Sequence, residues 1–464
     1  MARPSVPRGR VVPTVGSGVA GALGAVSDSG PSTALFTDHY ELTMLQSALR
    51  SGTASRWSVF EVFARGLPPG RRYGVVAGTG RLLDALERFH FTGADLDFLT
   101  SAGIVDGPTC EWLAAYRFSG DIDGYAEGEA YFPGSPVLVV SAPFGEAVLL
   151  ETLILSVLNH DTAVASAAAR MVCAAGDRPI IEMGSRRTHE EAAVAAARAS
   201  YVAGFTATSN LEAGRRFGIP TMGTSAHAFT LVHGSEREAF AAQVAALGEG
   251  TTLLIDTYDE ESAIRVAVEV AGPRLGAVRL DSGDLLELAR AARAQLDGLG
   301  ATSTRIVVTS DLDEHQIAAL AVAPVDGYGV GTAVVTGSGA PTAGFVFKLV
   351  ARALEDGPDA QLQPVGKRST GKPSRGGRKW AVRSRGRSGS ASAEVVHVGS
   401  PPTPPPGDRE LTVPLVRGGT AVAAGSLADA REQWRTARAE LPPAALRLSR
   451  GEPALPTRYS EGPA

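Results

Sequence analysis

The stretch "LGAVRLDSGDLLELARAARAQLDGLG", residues 275–300, contains the repeating unit from which the fold can be predicted. Residues 277–280 are mostly apolar and predict a short strand, and the leucines and alanines that follow recur at helical spacing. Asp281 or Ser282 is a suitable N-terminal cap for this helix, and the glycines of "DGLG" are suitable for its end. A strand followed directly by an amphipathic helix is the building block of parallel α/β proteins.

The same order of an apolar run and a helix-like or polar stretch occurs six more times between residues 179 and 336. The other runs are "PIIEM" (179–183), "GFTATSN" (204–210), "IPTMGTSAHAF" (219–229), "TTLLIDTYD" (251–259), "TRIVVTSD" (304–311) and "VDGYGVGTAVVT" (325–336). Seven such units are too many for a small sandwich and predict a (β/α) barrel. A doubly wound open sheet is the alternative fold.

The residues outside these repeats differ from them in composition. Together with the repeats they predict a chain of four parts. Residues 1–32 are rich in arginine and small residues and predict a flexible leader. Residues 33–150 mix helical and strand-like stretches and predict an α+β module, and the barrel with the active site follows over residues 151–354. Residues 355–464, rich in Gly, Pro, Arg and Ser, predict an extension with short strands and a final helix that packs on the N-terminal module.

Composition restricts the class of protein. The chain has 464 residues, of which 44% are hydrophobic and 20% charged, with a formal net charge of −5. This profile is typical of a soluble globular protein and predicts neither a nucleic-acid nor a membrane partner. The two cysteines, Cys110 and Cys173, exclude a disulfide framework and a cysteine-rich zinc site, and they predict a cytoplasmic location.

Chemically reactive side chains follow the predicted strands. In a barrel the C-terminal strand ends form one face, on which the active site lies. The side chains expected there are Arg186, His227, Asp256, Arg279, Asp281, Asp311 and Thr332. The sequence therefore predicts a single site that these residues share.

Two of these motifs indicate an anionic ligand. Arg279 and Asp281 are two residues apart at a strand end, so both can face one side; the guanidinium suits a carboxylate or phosphate and the aspartate suits ribose hydroxyls or a metal. The glycines of "GYGVG" before Thr332 would let the backbone approach a phosphate closely. An ordinary ion pair and a glycine-rich turn without a ligand are the simpler alternatives, as a buried structural histidine is for His227.

Seven motifs together resemble the nicotinate phosphoribosyltransferase family. They are "FTDHYELTM" (36–44), "EMGSRR" (182–187), "GFTATSN" (204–210), "GTSAHAF" (223–229), "IDTYD" (255–259), "VRLDSGDL" (278–285) and "GVGTAVVT" (329–336). The resemblance runs from about residue 33 to about residue 440. It implies an irregular α/β barrel of the type II phosphoribosyltransferase fold with a module from the N- and C-terminal parts, and a homodimer with shared active sites.

The resemblance also implies a reaction. Nicotinate and 5-phosphoribosyl 1-diphosphate would give nicotinate mononucleotide and diphosphate in NAD salvage, with magnesium and coupled ATP hydrolysis through a phosphorylated His227. Tyr40, Thr224 and Arg279 match the nicotinate contacts, Tyr40 reaching into the partner subunit's site. Gly331 and Thr332 match the phosphoribosyl contacts, and Arg186, Asp281, Asp311 and Lys367 are expected near the diphosphate, ribose or magnesium. Met183 replaces a phenylalanine frequent in the family, and its thioether can still contact an aromatic ring.

Asp256 is expected to hold one ring nitrogen of His227 and so fix its tautomer. The metal ligands are left open. Alternative activities are those of a nicotinamide or quinolinate phosphoribosyltransferase of the same fold, and a non-catalytic nucleotide-binding barrel is the alternative from outside the enzymes. An amide-binding site usually adds an acidic partner, for which the segment 204–210 offers no clear candidate.

Overall fold

The computed structural model describes residues 30–367, 375–422 and 425–460, so the predicted leader, residues 1–32, lies almost wholly outside the described residues. Within these ranges the helices are as follows. They are α1 (His39–Arg50), α2 (Thr79–Glu87), α3 (Gly93–Ser101), α4 (Gly107–Ala114), α5 (Phe144–Val148), α6 (Glu151–Ala175), α7 (Glu190–Val202), α8 (Leu211–Phe217), α9 (His227–Leu231), α10 (Glu236–Leu247), α11 (Glu260–Ala271), α12 (Leu285–Gly298), α13 (Glu314–Ala319), α14 (Thr332–Val335) and α15 (Leu427–Glu440), with 3₁₀ turns at Ala34–Phe36, Leu320–Val322 and Pro443–Leu446. No helix in the described ranges is both long and apolar enough to cross a membrane.

The strands of the described residues form four sheets. They are β1 (Arg56–Ala64), β2 (Gly74–Val75), β3 (Asp121–Tyr125), β4 (Ala130–Tyr131), β5 (Leu138–Pro143), β6 (Ile180–Glu182), β7 (Ala207–Thr208), β8 (Thr252–Leu254), β9 (Ala277–Leu280), β10 (Arg305–Val308), β11 (Gly327–Val330), β12 (Phe345–Asp356), β13 (Gln363–Pro364), β14 (Lys379–Arg385), β15 (Ala391–Val398), β16 (Arg409–Glu410), β17 (Thr412–Arg417), β18 (Thr420–Ala421) and β19 (Thr457–Ser460).

Six strands form a parallel sheet with the order β7-β6-β11-β10-β9-β8. Each strand from β8 to β11 pairs with the next along the chain, and β11 then pairs with β6, the first strand of the series. Pairing of the last strand with the first is the arrangement of a barrel, whereas a doubly wound sheet has its first strands at the centre. The predicted irregular barrel is therefore confirmed, and its seam lies between β7 and β8.

One predicted strand is wrong and one predicted cap is wrong. The run "IPTM" forms only an isolated parallel bridge, between Thr208 and Thr221, instead of a strand. Pro220 lacks an N–H group and cannot donate to a longer ladder, which explains the short pairing. The cap of α12 is Asp284, whose carboxylate accepts from the N–H groups of Leu286 and Glu287, rather than Asp281 or Ser282.

The second large sheet joins both ends of the chain. Its seven strands have the order β13-β12-β1-β5-β3-β17-β18, so β12 and β17 from the C-terminal half flank strands from the N-terminal half. This is the predicted α+β module from the N- and C-terminal parts. The four-part division by residue number stays a prediction, and β12 continues past residue 354 to Asp356.

Helix α6 connects the two cores. Its N-terminal half contributes Ile154 and Leu158 to the core of the α+β module, and its C-terminal half contributes Ala165 and Ala168 to the core of the barrel. A 25-residue helix buried along most of its length fixes the barrel against the module, because its two halves cannot move independently without breaking the helix.

Candidate active site

Thr224 and Arg279 meet at the C-terminal face of the barrel. Arg279 lies in β9, whereas Thr224 lies in the loop between the Thr221 bridge and α9. The Nη1 group of Arg279 donates a hydrogen bond to Thr224 Oγ1, and Nη2 lies 3.9 Å from Asp281 Oδ2. The structure thus brings together two of the three residues, Thr224, Arg279 and Met183, that were predicted to contact nicotinate from the same subunit.

Arg279 is largely buried, and one of its N–H groups has no hydrogen-bond partner among the described residues. Its side chain is 13% exposed, and its Nε is buried without a hydrogen-bond partner in the described part of the chain. Burial lowers the pKa of the guanidinium, Asp281 and Asp256 oppose that shift, and the positive charge of Arg186 adds to it. A buried cation with a free N–H group is suited to a carboxylate ligand, which accepts two parallel hydrogen bonds.

His227 is the first residue of α9 and is half-exposed. Its Nδ1 lies 3.2 Å from Thr257 Oγ1, within hydrogen-bond distance. Its Nε2 lies 3.9 Å from Asp256 Oδ1 and 4.0 Å from Asp281 Oδ2. The ring is therefore held by the Thr257 hydroxyl on one side and faces two carboxylates on the other.

Asp256 follows β8 and is fully buried, with its two oxygens in different situations. Oδ2 accepts hydrogen bonds from the backbone N–H of Asp281 at 3.0 Å and from Ser282 Oγ at 2.8 Å. Oδ1, the oxygen that faces His227, has no hydrogen-bond partner in the described residues. Asp256 was expected to hold the imidazole, and its Oδ1 lies 3.9 Å from His227 Nε2, beyond hydrogen-bond distance. The functional role of Asp256 stays a prediction.

Asp281 is fixed from a third strand. Thr309, at the end of β10, donates a hydrogen bond from Oγ1 to Asp281 Oδ1. The other oxygen, Oδ2, is left to face both Arg279 and His227. The ends of β8, β9 and β10 are in this way joined by hydrogen bonds between Asp256, Asp281 and Thr309.

Met183 lies half-buried at the end of β6, against the glycines of β11. A Cβ at Gly329 would lie 2.7 Å from Met183 Sδ and 2.6 Å from Thr309 Cγ2, so a side chain there would displace both. Gly331 approaches the Met183 carbonyl oxygen, at 3.3 Å from a built Cβ. Gly329 is thus required for the packing of Met183 and Thr309, which explains this glycine of "GYGVG" without a ligand.

Glu182, which precedes Met183, is a buried acid. It accepts hydrogen bonds from the backbone N–H of Gly184 and from Thr208 Oγ1, the latter at 2.5 Å. Burial raises the pKa of this carboxyl, and the two hydrogen bonds oppose the shift. Because both oxygens are used within the protein, Glu182 supports the turn that carries Arg186.

Of the predicted phosphoribosyl and diphosphate contacts, Arg186, Asp311, Gly331 and Thr332 follow barrel strands, whereas Lys367 follows a strand of the seven-stranded sheet. Gly331 precedes α14, and Thr332 is its exposed first residue. Arg186 and Asp311 are exposed after β6 and β10, and Ser310 beside Asp311 has a φ of 98°, an unusual value for serine. Lys367 is exposed after β13 and borders residues 368–374, which are outside the described residues.

Tyr40 belongs to α1 in the α+β module, and its described contacts are with that module. Burial and the neighbouring Glu151 and Glu41 raise the pKa of its hydroxyl. The side chain is nevertheless 44% exposed, and Phe36 beside it in sequence is also exposed. The structure of one chain does not bring Tyr40 to His227 or Arg279.

Several supporting residues were not assigned a function from the sequence. They are Glu182, Thr208, Thr257, Ser282 and Thr309, all of them directly after or at the end of a barrel strand. Hydroxyl groups at strand ends, as in "IDT" and "VVTS", are the signal that could have identified them. No group of three or more His, Cys, Asp or Glu side chains in the described ranges is arranged to hold a metal by itself.

Comparisons with known proteins agree on one family. A family model described as the nicotinate phosphoribosyltransferase N-terminal domain matches residues 35–159, and one described as the quinolinate phosphoribosyl transferase C-terminal domain matches residues 164–338. The chain is 59% identical over 440 residues to a nicotinate phosphoribosyltransferase of Mycobacterium tuberculosis, covering 93% of this chain and 96% of that protein.

Solved structures extend the likeness to the whole fold. The crystal structure of human nicotinic acid phosphoribosyltransferase superimposes with a TM-score of 0.76 at 28% identity, covering 92% of this chain and 97% of the human one. A nicotinate-nucleotide pyrophosphorylase from Pyrococcus furiosus superimposes with a TM-score of 0.70 at 22% identity over 91% of this chain and 99% of its own, which shows a shared fold.

Proposed function

The chain belongs to the nicotinate phosphoribosyltransferase family, and from this premise we propose that it joins nicotinate to 5-phosphoribosyl 1-diphosphate. The products are nicotinate mononucleotide, a precursor in NAD salvage, and diphosphate. Hydrolysis of ATP is coupled to this transfer through phosphorylation of His227.

The observation that carries the proposal is the pairing of Thr224 with Arg279. The Arg279 side chain is 13% exposed, and a planar carboxylate that reaches its guanidinium can accept two parallel N–H hydrogen bonds. Thr224 adds a hydroxyl beside the same guanidinium. Nicotinate carries such a carboxylate, whereas nicotinamide carries a neutral amide with a single acceptor oxygen, which cannot accept two parallel hydrogen bonds from the guanidinium.

The transfer itself requires positioning more than acid or base catalysis. The lone pair of the pyridine nitrogen forms the new bond to C1 of the ribose, and the bond from C1 to the diphosphate oxygen breaks with its electrons. No proton moves, so no general base is needed. The residues on this face contribute by holding the pyridine in line with C1 and by stabilising the departing charge, for which Arg186 and Lys367 are the proposed cations.

Magnesium fits the acidic groups on the barrel face. Asp281 and Asp311 follow the neighbouring strands β9 and β10, the side chain of Asp281 is 35% exposed, and Asp311 is exposed. Proteins usually bind Mg²⁺ with one or two carboxylates together with substrate phosphates, so Asp281 and Asp311 are the candidates to hold it. Bound magnesium would offset the negative charge of the diphosphate.

The surroundings of His227 support its proposed role as the phosphoryl acceptor. The carboxylates of Asp256 and Asp281 near Nε2 favour a proton on that nitrogen, which leaves the lone pair on Nδ1, beside the Thr257 hydroxyl. We propose that Nδ1 attacks the γ-phosphorus of ATP, forming an N–P bond while ADP leaves with the electrons of the broken P–O bond. Water later cleaves the N–P bond and releases phosphate.

We further propose a cytoplasmic homodimer with shared active sites. Tyr40 and Phe36 are exposed on the α+β module, and Met222, Leu231, Val232 and Tyr258 are exposed around His227. Exposed apolar side chains grouped at a site are typical of an interaction surface. In the dimer, Tyr40 of each subunit is proposed to contact the pyridine bound by its partner.

Product formation tests this proposal. The purified protein is incubated with phosphoribosyl diphosphate, Mg²⁺ and either nicotinate, nicotinamide or quinolinate, each with and without ATP, and the nucleotides are identified by mass spectrometry. Quinolinate is included because the model that matches residues 164–338 describes a quinolinate enzyme. We expect nicotinate mononucleotide, formed faster with ATP; equal use of the three bases, or product from nicotinamide or quinolinate alone, would disprove the proposed substrate.

A further inference from the structure

The turn that ends α14 has an unusual backbone. The N–H of Gly337 donates to the carbonyl of Val334 at 3.1 Å, and the N–H of Ser338 donates to that of Ala333 at 2.6 Å. This double hydrogen bond ends a helix in a left-handed conformation, with φ of 63° at Gly337 and 51° at Ser338. Glycine adopts such angles freely but serine does not, so the turn needs support from its surroundings.

A buried ion pair supplies that support to Ser338. Its Oγ donates to Glu314 Oε2 at 2.7 Å, and Glu314 Oε1 accepts from Arg170 Nε at 2.9 Å. Both charged side chains are about 5% exposed. Burial by itself raises the pKa of Glu314, but the hydrogen bonds from Ser338 and Arg170 outweigh it and hold the pKa below its usual value. The acid is thus kept ionised as an acceptor for both partners.

A second buried cation holds the neighbouring carbonyl. Arg71 Nη2 donates to the Gly337 oxygen at 2.5 Å, and Arg71 Nη1 is buried without a partner in the described residues. Arg71 comes from the loop before β2, and Arg170 comes from α6. Two elements outside the barrel repeat therefore direct buried guanidinium groups towards residues 337–338.

We propose that Glu314 is a positioning residue for the phosphoribosyl group. Acting with Arg170 through Ser338, it fixes the end of α14 and thereby the Gly331–Thr332 turn at its start. The four residues of α14 span only about 6 Å, so a shift at Ser338 is transmitted to Thr332. This inference rests on the proposed function, which assigns Gly331 and Thr332 to the phosphoribosyl group.

Loss of the Glu314–Arg170 ion pair has different measurable effects if the pair only stabilises the fold and if it positions the phosphoribosyl site. Loss of a structural pair lowers the melting temperature and affects both substrates alike. Loss of the positioning contact weakens phosphoribosyl diphosphate selectively, because nicotinate is held by Thr224 and Arg279, which Glu314 does not contact in the described structure. The ratio of the two KM values separates these cases.

The test uses Glu314→Gln and Ser338→Gly in the full chain. Ser338→Gly removes the hydroxyl but suits the left-handed backbone, so it preserves folding if Glu314→Gln does not. Glu61→Gln is the matched control, because Glu61 forms an equally buried ion pair with Lys379 at 2.7 Å, away from α14. The readouts are melting temperature, KM for both substrates, and the Kd of phosphoribosyl diphosphate with Mg²⁺ measured by calorimetry.

We expect the Kd and KM of phosphoribosyl diphosphate to rise about tenfold in both variants and the KM of nicotinate to change less than twofold. Glu61→Gln should lower the melting temperature alone.

An unchanged KM ratio and Kd in Ser338→Gly would overturn the inference. A different result would separate the inference from the proposed substrate. If the variants bind phosphoribosyl diphosphate more weakly than the wild type but the wild type does not use nicotinate, the proposed substrate is wrong and the positioning role stands. If the wild type does not bind phosphoribosyl diphosphate, both are wrong.

Discussion

His227 lies between a hydroxyl and two carboxylates, and each neighbour affects one nitrogen of its ring. Thr257 contacts Nδ1, whereas Asp256 and Asp281 lie near Nε2. Negative charge near one imidazole nitrogen favours a proton on that nitrogen, and the lone pair then stays on the other nitrogen. A lone pair on Nδ1 is what the proposed phosphorylation of His227 requires.

Replacement of His227 by asparagine is predicted to abolish coupling to ATP and to leave slow synthesis that does not need ATP. Asparagine lacks a nucleophilic nitrogen, so no N–P bond can form. Incubation with γ-labelled ATP should transfer acid-labile phosphate to the wild type and not to His227→Asn. The control is His233→Asn, since His233, in the same segment, is occupied by the carbonyl of Phe229 at 2.7 Å. Equal labelling of His227→Asn and the wild type would contradict the assignment.

Glu236 is predicted to make stability depend on pH. It is the first residue of α10, its Oε1 is buried without a partner among the described residues, and burial and then the charge of Asp259 raise its pKa to about 7. Because the folded pKa lies above the unfolded value of 4.5, its contribution is fully present below pH 4.5 and is lost as pH rises through 7.

The comparison variant is Glu236→Gln, which cannot ionise. Urea midpoints of the wild type and of Glu236→Gln should agree near pH 4.5, and the wild type should become progressively less stable than the variant up to about pH 8. The exposed Glu238 on the same helix provides the control Glu238→Gln. A difference between wild type and Glu236→Gln that does not vary with pH would show that burial of Glu236 is unimportant.

Among the elements of the barrel, β11 packs closely against its neighbours at one of its glycines and not at another. Gly327 and Gly329 are two residues apart, yet a Cβ at Gly327 would meet its nearest atom at 3.5 Å, whereas one at Gly329 would lie 2.6 Å from Thr309 Cγ2. Both residues have ordinary negative φ, so the comparison concerns space and not backbone strain.

Gly329→Ala is therefore predicted to destabilise the protein by about 1–3 kcal/mol and to weaken nicotinate binding by displacing Met183. Gly327→Ala should change stability by less than about 1 kcal/mol, since its Cβ makes only ordinary contacts. Urea unfolding and the KM of nicotinate measure the two effects. Equal stability of the two variants would contradict the packing described for Met183.

The elements of the barrel could be predicted because each depends on local sequence. Short apolar runs and helix periodicity identified six of seven strands. The structure places Thr224, His227 and Arg279, the candidates from the seven motifs, at one face of the barrel, and their roles stay predictions. The seventh strand was wrong because Pro220 limits pairing to the Thr221 bridge. The cap of α12 was wrong because Asp281, Ser282 and Asp284 all carry side chains that can cap a helix, and the sequence does not show which one does. Contacts such as Thr257 with His227 depend on side-chain orientation, which the order of residues does not specify.

At the scale of the whole molecule, the α+β module could be predicted only in outline. The seven-stranded sheet pairs Arg56 with Asp356 and Thr412 with Tyr125, residues hundreds of positions apart. No local pattern encodes such a register, because it depends on how the complete chain folds back. The same holds for the network of Arg71, Arg170 and Glu314, which joins three distant segments.

Shared active sites in a homodimer predict complementation between two damaged subunits. Tyr40→Ala and His227→Asn should each impair ATP-coupled synthesis, but a refolded equimolar mixture should recover about one quarter of wild-type activity, because half of the dimers are mixed and each has one intact site. Activity and sedimentation of the mixture measure this. A mixture no more active than its components would show that Tyr40 acts within its own subunit or not at all.

The barrel is proposed to select a pyridine carboxylate through Arg279 and Thr224. The most direct test is the ratio of kcat/KM for nicotinate to kcat/KM for nicotinamide, measured for the wild type at saturating phosphoribosyl diphosphate, Mg²⁺ and ATP. A site built around a buried guanidinium should reject the uncharged amide by at least about 10³-fold, as sites with unpaired buried polar groups do. A ratio near one, or a preference for nicotinamide, would contradict the account.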